Sequence, residues 1–405
     1  MKHVIIGAGA AGIAAAETIR RLRSNDEIVI ISADDAVHSR CMLHNFISGE
    51  RDEKGISHIS DEFFVKNNIR WVSGKAVEGI DTANKLVRIT GGAEPYDKLL
   101  IATGAESICL PHAQSLNAEN IFGLRHLRDA KAIREYAKQA KNIIIIGAGL
   151  VGMDAAYALS QIGKKPVIID RAEQILALNL DPYAANMYMQ KFEKAGCSFV
   201  LGREINQVNE NAGKVDSITL NFGQKLPCDM LVMAIGSSPS IGFLAGSDIA
   251  CNGGITVDKY LATNINDIYA AGDVTGLSGI WPNAVKQGET AASNMCGQPA
   301  TYDDTFAEKN TMNYFGIPSI SLGKVMPGSG DTVQVRKDKD KYQKIILNGG
   351  QVVGVVLQGN IAHSGFWLQL VKNEIDISKA NKSVFNLSFA DFYGVKEDGE
   401  YMWVL

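Results

Sequence analysis

An α/β architecture is predicted for this 405-residue chain, with two Rossmann-like domains followed by a small α+β C-terminal domain. Three observations carry that expectation. The pattern Gly-x-Gly-x-x-Gly occurs twice, at Gly7-Ala8-Gly9-Ala10-Ala11-Gly12 and at Gly147-Ala148-Gly149-Leu150-Val151-Gly152. Each copy lies between an apolar strand and a helix, and a second apolar strand follows each. From about residue 305 the composition changes to an alternating, strand-like pattern.

In the first unit, Val4-Ile5-Ile6 reads as a buried strand, Ile13-Ala14-Ala15-Ala16 as the helix, and Ile28-Val29-Ile30-Ile31 as the returning strand. The first glycine of such a motif permits the tight turn and the second lets backbone approach a pyrophosphate. The third lets helix and strand pack closely. The helix N-terminus then offers free N–H groups and partial positive charge to an anion. Gly7, Gly9, Ala10, Ala11 and Gly12 are therefore candidate phosphate contacts, as are Gly147, Gly149, Leu150, Val151 and Gly152. One such motif is weak evidence, because glycine- and alanine-rich helix starts are common. Two in the same strand–turn–helix setting are much stronger.

The acidic residue expected next separates the two copies. Asp170 closes the strand Val167-Ile168-Ile169, where a carboxylate can accept hydrogen bonds from a ribose 2′-OH. A 2′-phosphate would meet it unfavourably, so NADH is favoured over NADPH, although Arg171 beside it keeps NADPH open. In the first unit the equivalent place holds Ser32, with Asp34 two residues on. Either can reach a ribose, and Asp34 reads equally well as a solvated turn residue.

Composition narrows the function classes. The chain is 46% hydrophobic, and its formal charge of −4 without a basic stripe argues against nucleic-acid binding. Met1-Lys2-His3 runs straight into the first strand, leaving no room for a cleavable leader. No apolar run has the length of a bilayer span. The six cysteines are scattered, with no Cys-x-x-Cys and no zinc or iron–sulfur spacing. The expectation is a cytoplasmic protein without a metal centre.

Two further stretches complete a recognisable order. Ala102-Thr103-Gly104 follows an apolar strand, as does Gly272-Asp273, and Ala234-Ile235-Gly236 lies between them. Together with the two glycine turns, these segments resemble the pyridine nucleotide-disulfide oxidoreductase superfamily over roughly residues 1–300. The resemblance implies FAD on the first turn and NAD(H) on the second. It implies a discontinuous FAD-binding domain of residues 1–110 and 236–302, an NAD(P)H-binding domain of 111–235, and a C-terminal interface domain of 303–405. Asp273 would accept a hydrogen bond from the ribityl chain, and Thr103-Gly104 would lie near the FAD diphosphate. Val77 would meet adenine through its backbone. The helix start at Trp281-Pro282-Asn283-Ala284 would face the flavin pyrimidine, stabilising negative charge there. Gly236 belongs to the chain crossing that closes the second domain. Asp154 falls where the family often has glutamate near the nicotinamide, and its shorter side chain puts direct contact in question. Leu150 stands where many members have an aromatic gate.

Within this superfamily the electron exit decides the function. Dithiol enzymes need Cys-x-x-x-x-Cys after the first unit, whereas this chain has Cys41 alone and lacks their terminal His–Glu segment. The stretch from Val37 to Gly49 fits two other branches. NADH:rubredoxin reductases and the flavin part of nitrite reductases carry an arginine at the place of Arg40. Coenzyme A disulfide reductases, NADH oxidases and peroxidases carry a cysteine at the place of Cys41. Both marks are present. Cys41 is expected in the first turn of a helix beside Arg40, and both features favour a thiolate. The other reading makes it a compact apolar wall of the flavin pocket. His44 and Asn45 are expected to be exposed helix residues.

In the C-terminal stretch, Asn310 to Phe315 and Ser319 to Gly323 read as strands. Tyr342 to Leu347 and Val352 to Leu357 read as a hairpin across Asn348-Gly349-Gly350. Phe366 to Val371 reads as a short helix, and the charged run Arg336 to Lys344 as a solvated turn. The resemblance then points to an FAD-dependent NAD(P)H oxidoreductase passing electrons from NADH to a rubredoxin- or iron–sulfur-type protein or partner subunit. A single-cysteine disulfide or persulfide reductase, or an NADH oxidase, is the alternative. A flavoprotein scaffold or redox-sensing subunit is a third. A homodimer is left open.

Overall fold

The run Val4-Ile5-Ile6, almost wholly buried, forms the strand Lys2–Ile6 at the centre of a five-stranded parallel sheet. Its order is Ile268–Ala270, Lys98–Ile101, Lys2–Ile6, Glu27–Ile31, Ile69–Val72. In this computed structural model the described residues are 1–403 except Ser115, Asn117, Thr305 and Asn381, so the predicted start of the C-terminal stretch falls on a residue outside them. A strand buried on both faces reads as a continuous apolar run, which is why the β-branched residues cluster here.

The second sheet repeats the plan. Ile143–Ile146 stands at its centre, in the parallel order Ser198–Leu201, Val167–Asp170, Ile143–Ile146, Met230–Met233, Ile121–Phe122. The chain leaves the first sheet after Ile101 and rejoins it at Ile268. A short antiparallel pair, Ala105–Ser107 with Ser237–Pro239, joins the outgoing and returning strands.

The C-terminal sheet is antiparallel, ordered Lys309–Tyr314, Ile317–Gly323, Gln351–Gln358, Lys341–Asn348, Thr332–Asp338. The predicted hairpin turns at Gly349-Gly350, whose φ values of +54° and +91° suit the twist of the flanking strands. The predicted short helix spans Ser364–Lys372 and buries Phe366, Trp367 and Leu370 on this sheet. Met312, Tyr314, Tyr342 and Val356 share an apolar cluster with Tyr188 and Phe192 of the helix Pro182–Lys194. The C-terminal sheet is thereby fastened to the second parallel sheet's domain.

One expectation fails here. The charged run from Arg336 to Lys344 is not a simple turn: it holds the end of the strand Thr332–Asp338 and the start of its partner Lys341–Asn348. All seven residues of Thr332–Asp338 are exposed. An outermost strand with water on both faces shows no apolar alternation, and its charges discourage further pairing. No helix among the described residues is long and apolar enough to cross a membrane.

Candidate functional site

Each parallel sheet ends its central strand in a glycine turn of the same geometry. Gly7 and Gly147 have φ of +112° and +104°, and a Cβ there would run into the carbonyl of Ala102 or Ala234. A Cβ on Gly12 or Gly152 would collide with the carbonyl of Gly7 or Gly147. In front of Gly9 and Gly149, by contrast, the space is open. The helices Ala10–Leu22 and Leu150–Gln161 begin at these points without a side-chain cap, so their first N–H groups face open space. Both turns are anion cradles in geometry.

The first cradle opens onto a groove with about 1310 Å³ of space between its walls, part of it open to solvent. Gly7, Gly9, Ala10 and Ala11 line it, with Ser32, Asp34, Arg40, Val77, Ala102, Thr103 and Gly104. Gly272, Asp273, Trp281 and Ala284 complete the wall. Gly12 lies beneath the turn. Gly236 sits on the crossing pair, where its carbonyl accepts from the Ile108 N–H at 3.0 Å, and neither lines the groove. The 15-residue helix Trp281–Met295 also starts at the wall without a side-chain cap. An extended dinucleotide with an aromatic ring system fits these features. The phosphate cradle is empty of side chains, and a helix N-terminus waits at a second point for an electron-rich ring edge.

Charged groups are arranged along the groove. Asp273 pairs with Arg40 (Nη1 to Oδ2, 3.0 Å) and with Arg125. Arg40 also donates to the Gly279 carbonyl at 2.6 Å, and Arg125 to that of Ala105 at 3.0 Å. Behind them the fully buried Gln287 accepts from the Gly272 N–H at 2.8 Å and fixes the loop that carries Asp273. Near the end of Glu27–Ile31, Asp34 meets His126 Nδ1 at 3.1 Å and Arg128 at 3.4 Å. His126 Nε2 lies 3.1 Å from Glu106. Burial pulls the His126 imidazole down, but the hydrogen bonds to Asp34 and Glu106 outweigh it and raise it to about 9. Burial likewise opposes ionisation of Asp34, yet His126 and Arg128 hold its carboxyl below the usual range. Asp34 is thus a groove residue and not a solvated turn. Ser32 accepts from the Asp34 N–H at 3.1 Å and shapes that turn. Asp34, His38 and His126 bring possible ligand atoms within 4.8 Å of one another, an approach the His126–Asp34 hydrogen bond accounts for.

Arg125 and His126 escaped the sequence reading. The available signal was the helix start: Asp129 accepts from the N–H groups of Arg125 and His126, both at 2.9 Å, ahead of the helix Leu127–Ala137. Nothing local indicated that the two side chains reach across the groove.

At the second turn, Asp170 accepts from the Ala148 N–H at 2.6 Å and from the Ala172 N–H at 2.8 Å. The carboxylate ties the strand end to the glycine turn. Val151, 40% exposed, and the half-buried Leu150 stand at the turn's outer face. Asp154, one turn further along, accepts a hydrogen bond from Tyr314 Oη at 2.8 Å and lies 3.8 Å from His44 Nδ1. Tyr314 belongs to the C-terminal sheet, and sequence reasoning missed it too.

The expectations for Cys41 and its neighbours need correction. Cys41 lies in the single 3₁₀ turn Arg40–Met42, ahead of the helix Leu43–Ser48 and not within it. Its side chain retains exposed surface, but its packed surroundings push the thiol up. Arg40 pulls the other way, while Asp154 and Asp273 add to the rise. The thiolate is disfavoured chiefly by burial, and Arg40, already paired with Asp273, offsets it only in part. Asn45 is buried, donating to Glu50 at 2.6 Å, and His44 is only one-fifth exposed. The short helix is wedged between Leu127–Ala137 and Leu150–Gln161, which leaves it little solvated surface.

With this geometry in hand, the comparisons are specific. A family model described as pyridine nucleotide-disulphide oxidoreductase matches residues 1–288, and one described as rubredoxin NAD+ reductase C-terminal domain matches residues 309–375. The chain is 29% identical to subunit epsilon of the NADH-dependent phenylglyoxylate dehydrogenase of Aromatoleum evansii, over 93% of each chain. It is 29% identical to the nitrite reductase [NAD(P)H] of Bacillus subtilis over 94% of its own length and 48% of that relative's. It spans 50% of the assimilatory nitrate reductase electron transfer subunit of the same organism, so it covers about half of both relatives. The solved NADH:rubredoxin oxidoreductase of Clostridium acetobutylicum superposes with a TM-score of 0.75 at 26% identity, over 94% of this chain and 97% of that one.

Proposed function

The chain belongs to the pyridine nucleotide-disulphide oxidoreductase family, and from that premise we propose that it moves electrons from NADH through FAD to a protein acceptor. The observation that carries this reading is the pair of open glycine turns, one facing the long groove and one beside Asp170. The groove would hold FAD, with its diphosphate on the N–H groups after Gly9 and its ribityl chain against Asp273. Its pyrimidine would lie at the N-terminus of Trp281–Met295. The second turn would hold NADH, with Asp170 denying the 2′-phosphate of NADPH. A bound flavin supplies the conversion between a two-electron donor and one-electron acceptors. The chain's own contribution is position: Arg40 and Arg125 fix Asp273, Gln287 fixes its loop, and Leu150 would cover the nicotinamide side against water.

The acceptor is proposed from three supports. The C-terminal residues match the rubredoxin NAD+ reductase C-terminal model. Relatives of similar extent include a dehydrogenase subunit and an NADH-rubredoxin oxidoreductase. The Cys41 thiol is pushed up, away from the reactive thiolate. The acceptor is then a small iron–sulfur or rubredoxin-type protein, or a partner subunit. The exposure of Cys41 favours a second reading, a thiol-dependent disulfide or persulfide reductase. Steady-state turnover with a rubredoxin-type protein and with a small disulfide, by wild type and Cys41→Ser, separates them. Protein turnover retained in the variant, with no disulfide turnover in the wild type, supports protein-directed transfer; disulfide turnover that the variant loses supports the thiol route.

A further inference from the structure

Phe222 is 91% exposed, an aromatic ring left in water. Its backbone has φ of +67°, a conformation that a bulky side chain rarely adopts. Neither feature serves the core. The turn Asn221–Gly223 joins Lys214–Leu220 to Lys225–Pro227 in a three-stranded antiparallel sheet, which packs inward through Val208, Val215, Ile218 and Leu220 without this ring. The turn's place in the fold supplies a reason for both. Asp170 and Leu201 close the neighbouring parallel strands Val167–Asp170 and Ser198–Leu201 side by side. Just beyond, the Arg203 N–H donates to the Asp170 carbonyl at 3.1 Å, and the chain enters the strand Ile205–Asn211. Ile205 pairs with Leu220, and the Asn221 N–H donates to the Glu204 carbonyl at 2.8 Å, which anchors the turn beside Arg203. The Arg203 guanidinium stands over the Phe222 ring, Cζ to centroid 5.8 Å. An exposed aromatic ring and an exposed arginine thus flank the carboxyl end of the strand that Asp170 closes. The next strand in the sheet, Ile143–Ile146, leads to the glycine turn that lies open at Gly149. The crevice outside the carboxyl ends of parallel strands is where such sheets take their ligands.

We propose that Phe222 and Arg203 form a platform for the adenine ring of the dinucleotide held at the second glycine turn. The inference rests on the reading of that turn as the NADH site. With the diphosphate on the open turn and a ribose at Asp170, the adenine is the part of the ligand that continues outward past Asp170, toward Arg203. Every purine has a flat π-face, and it stacks on aromatic rings and guanidinium planes without further recognition. The left-handed turn holds the ring off its own sheet, and the cost of that conformation is offset when the ligand covers the ring. Stacking at the adenine is indifferent to the state of the distant nicotinamide. The two residues are therefore positioning residues that strengthen substrate and transition-state binding alike, lowering KM and leaving kcat unchanged.

The test is calorimetry of ADP-ribose, which carries adenosine and diphosphate but no nicotinamide, on the purified flavin-loaded protein. Phe222→Ala should weaken ADP-ribose about tenfold, and Arg203→Gln should weaken it by a smaller factor. The KM for NADH should rise with the ADP-ribose dissociation constant while kcat holds. Flavin reduction by reduced nicotinamide mononucleotide, which lacks the adenosine, should be the same in wild type and variants. Phe222→Tyr should keep the wild-type affinity. Phe222→Gly should bind ADP-ribose as poorly as Phe222→Ala yet melt at a higher temperature than it, because glycine takes a positive φ without strain. ADP-ribose bound equally by wild type and Phe222→Ala overturns the platform and leaves the NADH site standing. An equal loss with reduced nicotinamide mononucleotide overturns it too, since the ring would then act through the fold. Absence of ADP-ribose binding to the wild type overturns both the platform and the reading of the second turn.

Discussion

Lys344 of the C-terminal sheet meets Asp181 at the start of the helix Pro182–Lys194, Nζ to Oδ2 at 3.0 Å, with the two side chains only 7% and 4% exposed. Asp181 is also the cap of that helix, accepting the Ala184 N–H, and it accepts from Tyr342 Oη at 2.5 Å. The C-terminal sheet thus holds the domain of the second parallel sheet through a buried charge pair as well as through apolar contact. Removing one partner strands the other: Lys344→Met is expected to cost about 3 kcal/mol in denaturant unfolding. Asp181→Asn combined with Lys344→Met should cost less than the single lysine change. A double variant as unstable as the sum of the singles contradicts this.

Asp273 separates two arginines. Asp273→Asn leaves Arg40 and Arg125 facing each other at the groove wall without a counter-charge. The expected outcome is FAD binding weakened about tenfold or more, about 1.4 kcal/mol or above. Visible absorbance of the purified variant and a flavin fluorescence titration read it. Unchanged flavin content would remove Asp273 from the proposed site.

His126 gives the protein a pH dependence with a definite sign. Its folded value, about 9, lies above its ordinary 6.5. A raised histidine stabilises fully below about pH 6.5, and that contribution fades as pH climbs through about 9. The loss should approach about 3 kcal/mol, read by unfolding across that window. His126→Asn should flatten the profile. A wild-type profile already flat there would show that the contacts with Asp34 and Glu106 contribute nothing.

Asp170 shapes the second turn, and in the proposed NADH site it would stand at the ribose. Asp170→Ala frees the Ala148 N–H and removes a negative charge beside Arg171. The KM for NADH is expected to rise about tenfold, with a smaller effect on NADPH and a narrowed preference. An unchanged ratio of kcat/KM for the two nucleotides would show that Asp170 plays no part in the choice.

How much of this was legible follows from what local sequence encodes. The glycine turns were readable because positive φ and close backbone approach leave glycine as the fitting residue, so identity reports geometry. The hairpin at Gly349-Gly350 was readable for the same reason. Arg125, Tyr314 and Lys344 were not, since their partners Asp273, Asp154 and Asp181 lie roughly 150 positions away in the chain. Asn45 was misread because burial of a short helix depends on the two helices that clasp it. The Thr332–Asp338 strand was misread because a solvated edge strand carries the composition of a loop. Asp154 was noticed for its position, but the tyrosine that holds it comes from another domain.

The flavin is proposed as the one redox centre that NADH fills. An anaerobic titration of the flavin-loaded protein with NADH, followed by visible absorbance, tests that directly. The expected result is complete bleaching at about one NADH per flavin, the same in Cys41→Ser, with no long-wavelength thiolate band. Bleaching that needs about two NADH per flavin, with such a band that the variant loses, would make Cys41 a second centre and contradict the account.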